Sequence, residues 1–97
     1  MSTKFKQYFF LAINEEERQA YLLGYKLKLT PTEFKIVNIL MDTKYATVDR
    51  LLLDLPARCT RKSIPVHITA INKKAHDISG RKLIENSREG YYFAENI

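Results

Sequence analysis

Apolar residues recur along this chain in two rhythms, and the change from one to the other orders its elements. The stretch from Gln7 to Ile13 is dominated by aromatic and aliphatic residues, Asn14 and Glu15, Glu16 and Glu17 interrupt it, and Gln19 to Leu23 resumes it. Two strands joined by a turn are the natural reading. After Gly24, Lys26-Leu27-Lys28-Leu29 alternates polar with apolar, as a half-buried strand does. The chain therefore opens on a small antiparallel sheet.

The rhythm then lengthens. Thr30-Pro31-Thr32-Glu33 starts a helix: Thr30 can accept from the N–H of Glu33, Glu33 can reach back to the N–H of Thr30, and Pro31 sits where a missing donor does no harm. Phe34, Ile36, Val37, Ile39, Leu40 and Met41 give it a broad apolar face, and Asp42-Thr43-Lys44 ends it. Thr47 caps a shorter second helix with Asp49 in its first turn, an apolar face of Leu51, Leu52, Leu53 and Leu55, and Pro56 as its stop. Ser63 is read as the cap of a third helix running to about Ser79, closed by Gly80 in a left-handed conformation. Ile64, Ile68, Ile71, Ala75 and Ile78 form its buried stripe. Lys62, Val66, Thr69 and Lys73, with Ala70 and His76 at the edge, fall on the opposite face. Lys82 to Ser87 and Tyr91 to Glu95 flank Arg88-Glu89-Gly90 as a terminal hairpin, with Gly90 expected to supply the turn conformation.

Composition narrows the class. At 97 residues, 45% hydrophobic and 28% charged, residues 1–97 read as one folded domain. Apolar runs such as Tyr8 to Ile13 fall far short of the ~20 residues of a membrane span. The lysine-bearing start lacks the long apolar region of an export signal, so a cytoplasmic place and no membrane partner are expected. Cys59 is the only cysteine, which excludes an intrachain disulfide and a thiolate zinc site.

The charge is uneven. Residues 58–88 hold eight basic side chains against Asp77 and Glu85, a local excess of +6 that more than covers the chain's net +5. Such a surface attracts a polyanion, nucleic acid being the commonest, although charge alone also fits a solvated basic face. Enzymatic chemistry finds no support. His67 and His76 stand nine residues apart on one helix, about 13 Å by the helical rise, too far to share a metal. Gly24, Gly80 and Gly90 are too scattered for a phosphate loop, and no other cofactor is implied.

The order of small sheet, capped helix, short helix, longer helix and terminal hairpin is that of a winged helix-turn-helix. Leu29-Thr30-Pro31-Thr32-Glu33-Phe34, then Val66-His67-Ile68 with Ile71 and Lys73-Lys74, then Leu83-Ile84 with Arg88, Gly90, Tyr91 and Phe93, resemble OmpR/PhoB-type effector domains of bacterial response regulators. The likeness runs from about Phe9 to Phe93. It implies an α+β fold with a small N-terminal antiparallel sheet, a three-helix core and a C-terminal β-hairpin wing. It also implies a DNA-binding transcriptional regulator of a two-component system, with the third helix in the major groove and the wing on the backbone or minor groove.

Carried over position by position, the resemblance places Lys62 and Ser63 at the helix start, where Lys62 can meet a phosphate. His67 stands at the family's histidine near the DNA backbone, or else is a half-buried flank histidine that packs locally. Thr69 and Ala70 hold positions many relatives fill with arginine or long polar side chains; Thr69 can donate or accept, while Ala70 and Val66 suit thymine methyl groups, so base reading is expected to be weak or biased towards A·T pairs. Asn72 replaces a usual phosphate-contacting arginine, Lys73 points outward towards phosphate, and Arg88 matches the wing arginine in a hairpin one residue shorter than usual. The link from Leu55 to Arg61 is short and lacks a tryptophan, which weakens the route by which some relatives contact RNA polymerase. The acidic pocket of the receiver domain that normally precedes such an effector does not fit in this length, so the chain reads as a single-domain regulator or a piece of a longer one. The implied partner is double-stranded DNA, bound by a homodimer or tandem copies, with RNA polymerase or a partner regulator as further candidates. The competing class is a winged-helix protein-interaction module that has lost most DNA affinity, suggested by the apolar-leaning Val66, Thr69, Ala70 and Asn72.

Overall fold

A computed structural model describes residues 5–95. Four antiparallel strands open the chain: β1 (Phe5–Tyr8), β2 (Leu11–Asn14), β3 (Gln19–Leu22) and β4 (Tyr25–Leu27), adjacent in sequence order. The stretch read as one strand from Gln7 to Ile13 is thus the end of β1, a tight turn and most of β2. Phe9 turns the chain at φ 52°, and Leu11 pairs back onto Tyr8. No glycine, proline or asparagine marks that turn; two phenylalanines fill it, both exposed. The β3–β4 turn is better signalled, since Leu23 and Gly24 both have positive φ, as the twist of a two-residue hairpin demands. Strand β4 ends at Leu27, short of the expected Leu29. Asn14 is not simply an interruption: it is buried, and its side-chain oxygen accepts from the N–H of Glu17 to shape the β2–β3 turn.

Helix α1 (Pro31–Thr43) carries the full capping box predicted for it. The Glu33 N–H donates to Thr30 Oγ1 at 3.2 Å, and the Thr30 N–H donates to Glu33 Oε1 at 3.0 Å. Lys44 closes it at φ 65°. Immediately afterwards comes β5 (Tyr45–Thr47), which leads into α2 (Val48–Asp54), whose Arg50 N–H donates to Thr47 Oγ1. Leu51 and Leu55 are buried as the apolar pattern requires, but Leu53 is 79% exposed, because a helix this short turns only one side inward.

Helix α3 (Ser63–Ser79) ends at Gly80 with φ 74°. Its N-cap is Lys62, not Ser63, and the cap makes no side-chain hydrogen bond. Lys62 already has helical angles, so Ser63 lies inside the helix and its hydroxyl bonds back to the Thr60 N–H and carbonyl. Ile64, Ile68, Ile71 and Ala75 are buried and Ile78 is half-buried. Their stripe packs into one core with Leu11, Ile13, Leu22, Ile36, Leu40 and Leu51.

The terminal hairpin is β6 (Ile84–Asn86) and β7 (Gly90–Phe93), closed by the Ser87 N–H donating to the Gly90 carbonyl. β7 lies between β6 and β5 in a three-stranded sheet. Gly90 does not supply the turn conformation. It pairs with Thr47 in the ladder, and a Cβ there would stand 2.4 Å from the Ala46 carbonyl oxygen, so close backbone approach is what requires glycine. Among the described residues no helix is long and apolar enough to cross a membrane.

Candidate nucleic-acid interface

The outward side of α3 follows from the inward one. With isoleucines spaced three and four apart turned to the core, residues 62, 66, 69, 70 and 73 fall on the far side. Lys62, Val66, Thr69 and Lys73 are exposed, Val66 to 66%, while Ala70 and His67 are half-buried on the flanks. Arg88 is exposed between β6 and β7 at the tip of the hairpin. A cleft of about 330 Å³ separates α3 from the hairpin, lined by Thr69, Asn72, Lys82, Ile84, Asn86 and Tyr91.

Asn72 is engaged elsewhere than at a ligand. Its Oδ1 accepts from the N–H groups of Leu83 and Ile84 at 3.0 and 2.8 Å, and its Nδ2 donates to the Ile84 carbonyl at 3.0 Å. The side chain thereby ties α3 to the backbone at the start of β6.

Ion pairing sorts the basic residues. Lys74 turns inward to Glu33 at 2.5 Å, Arg61 pairs with Asp49 at the start of α2, and Lys82 lies 3.8 Å from Glu85. Among the described residues no carboxylate lies within ion-pair distance of Lys62, Lys73 or Arg88. Three uncompensated cations therefore bracket the exposed face of α3 and its hairpin, and a face so charged favours an anionic ligand.

Several residues of this surface went unread in the sequence. Asn86 and Tyr91 reach the cleft because they are paired across the hairpin, a register no local pattern discloses. A second cleft, about 480 Å³, lies between the hairpin tip and the start of α2, with Thr47, Asp49, Arg61, Ser87, Arg88 and Glu89 on its walls. The cap at Thr47 marked the helix start but not its nearness to Arg88. Tyr45 extends the hairpin sheet, stacking on Tyr92 with ring centroids 6.4 Å apart and sharing a hydrogen bond with Ser87 Oγ at 3.1 Å.

No protein-family profile matches the chain, and no curated protein matches its sequence. Solved structures do match. The DNA-binding domain of response regulator AdeR, in complex with an intercistronic region, aligns with a TM-score of 0.78 and 24% identity over 91% of this chain and 96% of that one. The Klebsiella pneumoniae RstA DNA-binding domain, in complex with the RstA box, gives a TM-score of 0.75 and 26% identity, covering 94% of this chain and 97% of its own. This chain has the fold of an OmpR/PhoB-type response-regulator DNA-binding domain. The Thermotoga maritima response regulator DrrB, an OmpR/PhoB homologue, matches over 93% of this chain with a TM-score of 0.77 and 23% identity. Only 44% of DrrB is covered, so the winged helix spans less than half of that protein.

Proposed function

We propose that this chain binds double-stranded DNA as the effector domain of a transcriptional regulator. Helix α3 enters the major groove, and Arg88 approaches the backbone or minor groove from the hairpin. One observation carries the reading: among the described residues Lys62, Lys73 and Arg88 have no acidic partner, and they flank an exposed helix face on a fold shared with the AdeR and RstA domains that were solved with DNA. Lys62, Lys73 and Arg88 serve as phosphate contacts; Val66, Thr69 and Ala70 face the bases; Ser63 and His67 flank the groove and take part by position. Asn72 contributes by holding the wing rather than by touching DNA. Paired half-sites, bound by two copies, raise the modest affinity of one domain. Work in the cytoplasm fits this role, and RNA polymerase or a second regulator is a candidate protein partner.

Fluorescence anisotropy with a labelled duplex carrying two half-sites, measured across a salt series, tests the proposal. A contact with about four to six phosphates gives a log–log slope near −4 to −5. Absence of binding at low salt refutes it and favours the protein-interaction reading, for which the exposed Val66 is the motivating feature.

A further inference from the structure

Granted that α3 lies in the major groove, its side chains dictate what kind of sequence it can read. The sharpest base readers are arginine or lysine on guanine, asparagine or glutamine on adenine and a carboxylate on cytosine, and the two exposed lysines of this face, Lys62 and Lys73, stand at its ends as phosphate contacts in the proposed docking. Between Ser63 and Ala70, the turns that enter a groove first, α3 contains none of them. Asn72, the nearest amide, spends both oxygen lone pairs and one N–H on the Leu83–Ile84 backbone. Asp77 lies a full turn beyond Lys73, near the C-terminal end of the helix, where a carboxylate meets both the negative helix end and the phosphates.

What the face offers instead is methyl groups. Val66 is 66% exposed, Thr69 is exposed three residues on along the same face, and the half-buried Ala70 follows one turn after Val66. Val66 and Ala70 are separated by about 6 Å along the helix axis, close to two base steps of about 3.4 Å. Exposed in water, a valine in that place gains nothing; set against the C5-methyl of thymine, it removes apolar surface from solvent on both sides. We infer that α3 discriminates bases chiefly through thymine methyl groups, with Val66 and Ala70 as the specificity-determining side chains and Thr69 adding a methyl and an undiscriminating hydroxyl. The preferred half-site is then defined by the position of thymines, not by hydrogen-bonded guanines.

Selection of duplexes from a random pool, followed by single replacement of thymine with deoxyuridine, tests this directly, because the change deletes one methyl and keeps the base pair. Affinity is expected to fall roughly three- to fourfold at each contacted thymine. Putting 5-methylcytosine in place of cytosine at the same position of a C·G variant should recover part of the loss. Val66→Ser should abolish the deoxyuridine effect at one position while leaving the salt slope and the melting temperature unchanged, since the side chain is exposed. Equal affinity for thymine and deoxyuridine duplexes, recovery of no preferred site, or a site sensitive to 7-deazaguanine in place of guanine would each overturn the inference while duplex binding stood. Failure to bind any duplex would overturn the function itself.

Discussion

Lys74 of α3 holds its ammonium 2.5 Å from the Glu33 carboxylate of α1, and the two members of the pair differ in exposure. Glu33 is almost wholly buried, whereas the Lys74 side chain retains a third of its surface. The same carboxylate oxygen also accepts from the Thr30 N–H, so one atom serves helix start and helix packing together. Lys74→Met strands a buried carboxylate and should cost about 2 kcal/mol, a figure reduced from the fully buried case because water reaches Lys74. Glu33→Gln keeps an acceptor for Thr30 and should cost about 1 kcal/mol. Urea denaturation of both variants checks the order.

Gly90 and Gly24 invite the same substitution with different results. Gly90→Ala drives a methyl into the Ala46 backbone, and the rigid β5–β7 pairing has to separate; a loss of about 3 kcal/mol or more is expected. Gly24→Ala meets open space and incurs only the left-handed penalty of about 1–2 kcal/mol. Thermal melts of the two variants should separate them clearly.

Lys6 ties β1 to α1, with its ammonium 2.6 Å from Asp42, 3.2 Å from Glu15 and 3.0 Å from the Asn38 side-chain oxygen. Burial pulls its pKa down, but the hydrogen bonds and charges of Asp42 and Glu15 together outweigh that and hold it above the ordinary 10.5. Because the folded value is the higher one, the contribution is complete below about 10.5 and disappears as pH climbs through the raised value. Stability of the unaltered protein should therefore fall more steeply above pH ~10.5 than that of Lys6→Met, as followed by chemical denaturation at stepped alkaline pH.

Lys73→Ala with Arg88→Ala should weaken DNA binding about equally on every sequence and reduce the salt slope by about two. Changes at Thr69 or Ala70 should instead reorder sequence preference. Unchanged affinity in the double variant would remove α3 and the wing from the contact surface.

Asn72→Ala should act on folding. It leaves the Leu83 and Ile84 N–H groups without their acceptor, a cost of about 1–3 kcal/mol, and loosens the hairpin. A lowered melting temperature and faster amide exchange at residues 83 and 84 are the expected signs.

The features legible in the sequence were those whose cause is local. The capping box at Thr30 and Glu33 involves residues three apart, and the isoleucine stripe of α3 repeats within a turn, so both were read correctly. The break at Phe9 was invisible because two aromatic residues occupy a turn that ordinarily takes glycine or asparagine. β5 spans three residues and exists only because β7 is there to pair with it. Gly90 has two physical explanations, turn geometry and close approach, and the sequence cannot choose between them; Ala46, 44 positions away, decides. The anchoring bonds of Asn72 were illegible for a similar reason, since its partners lie 11 and 12 residues downstream.

That anchor has a mechanical consequence. The Asn72 amide and the burial of Leu83 and Ile84 hold the hairpin against α3, so on the proposed docking the interval between groove and wing contacts is set before any duplex arrives. Under that proposal the ruler for half-site length lies in the α3–β6 junction, and lengthening or relaxing it would retune spacing without altering a side chain proposed to face the bases.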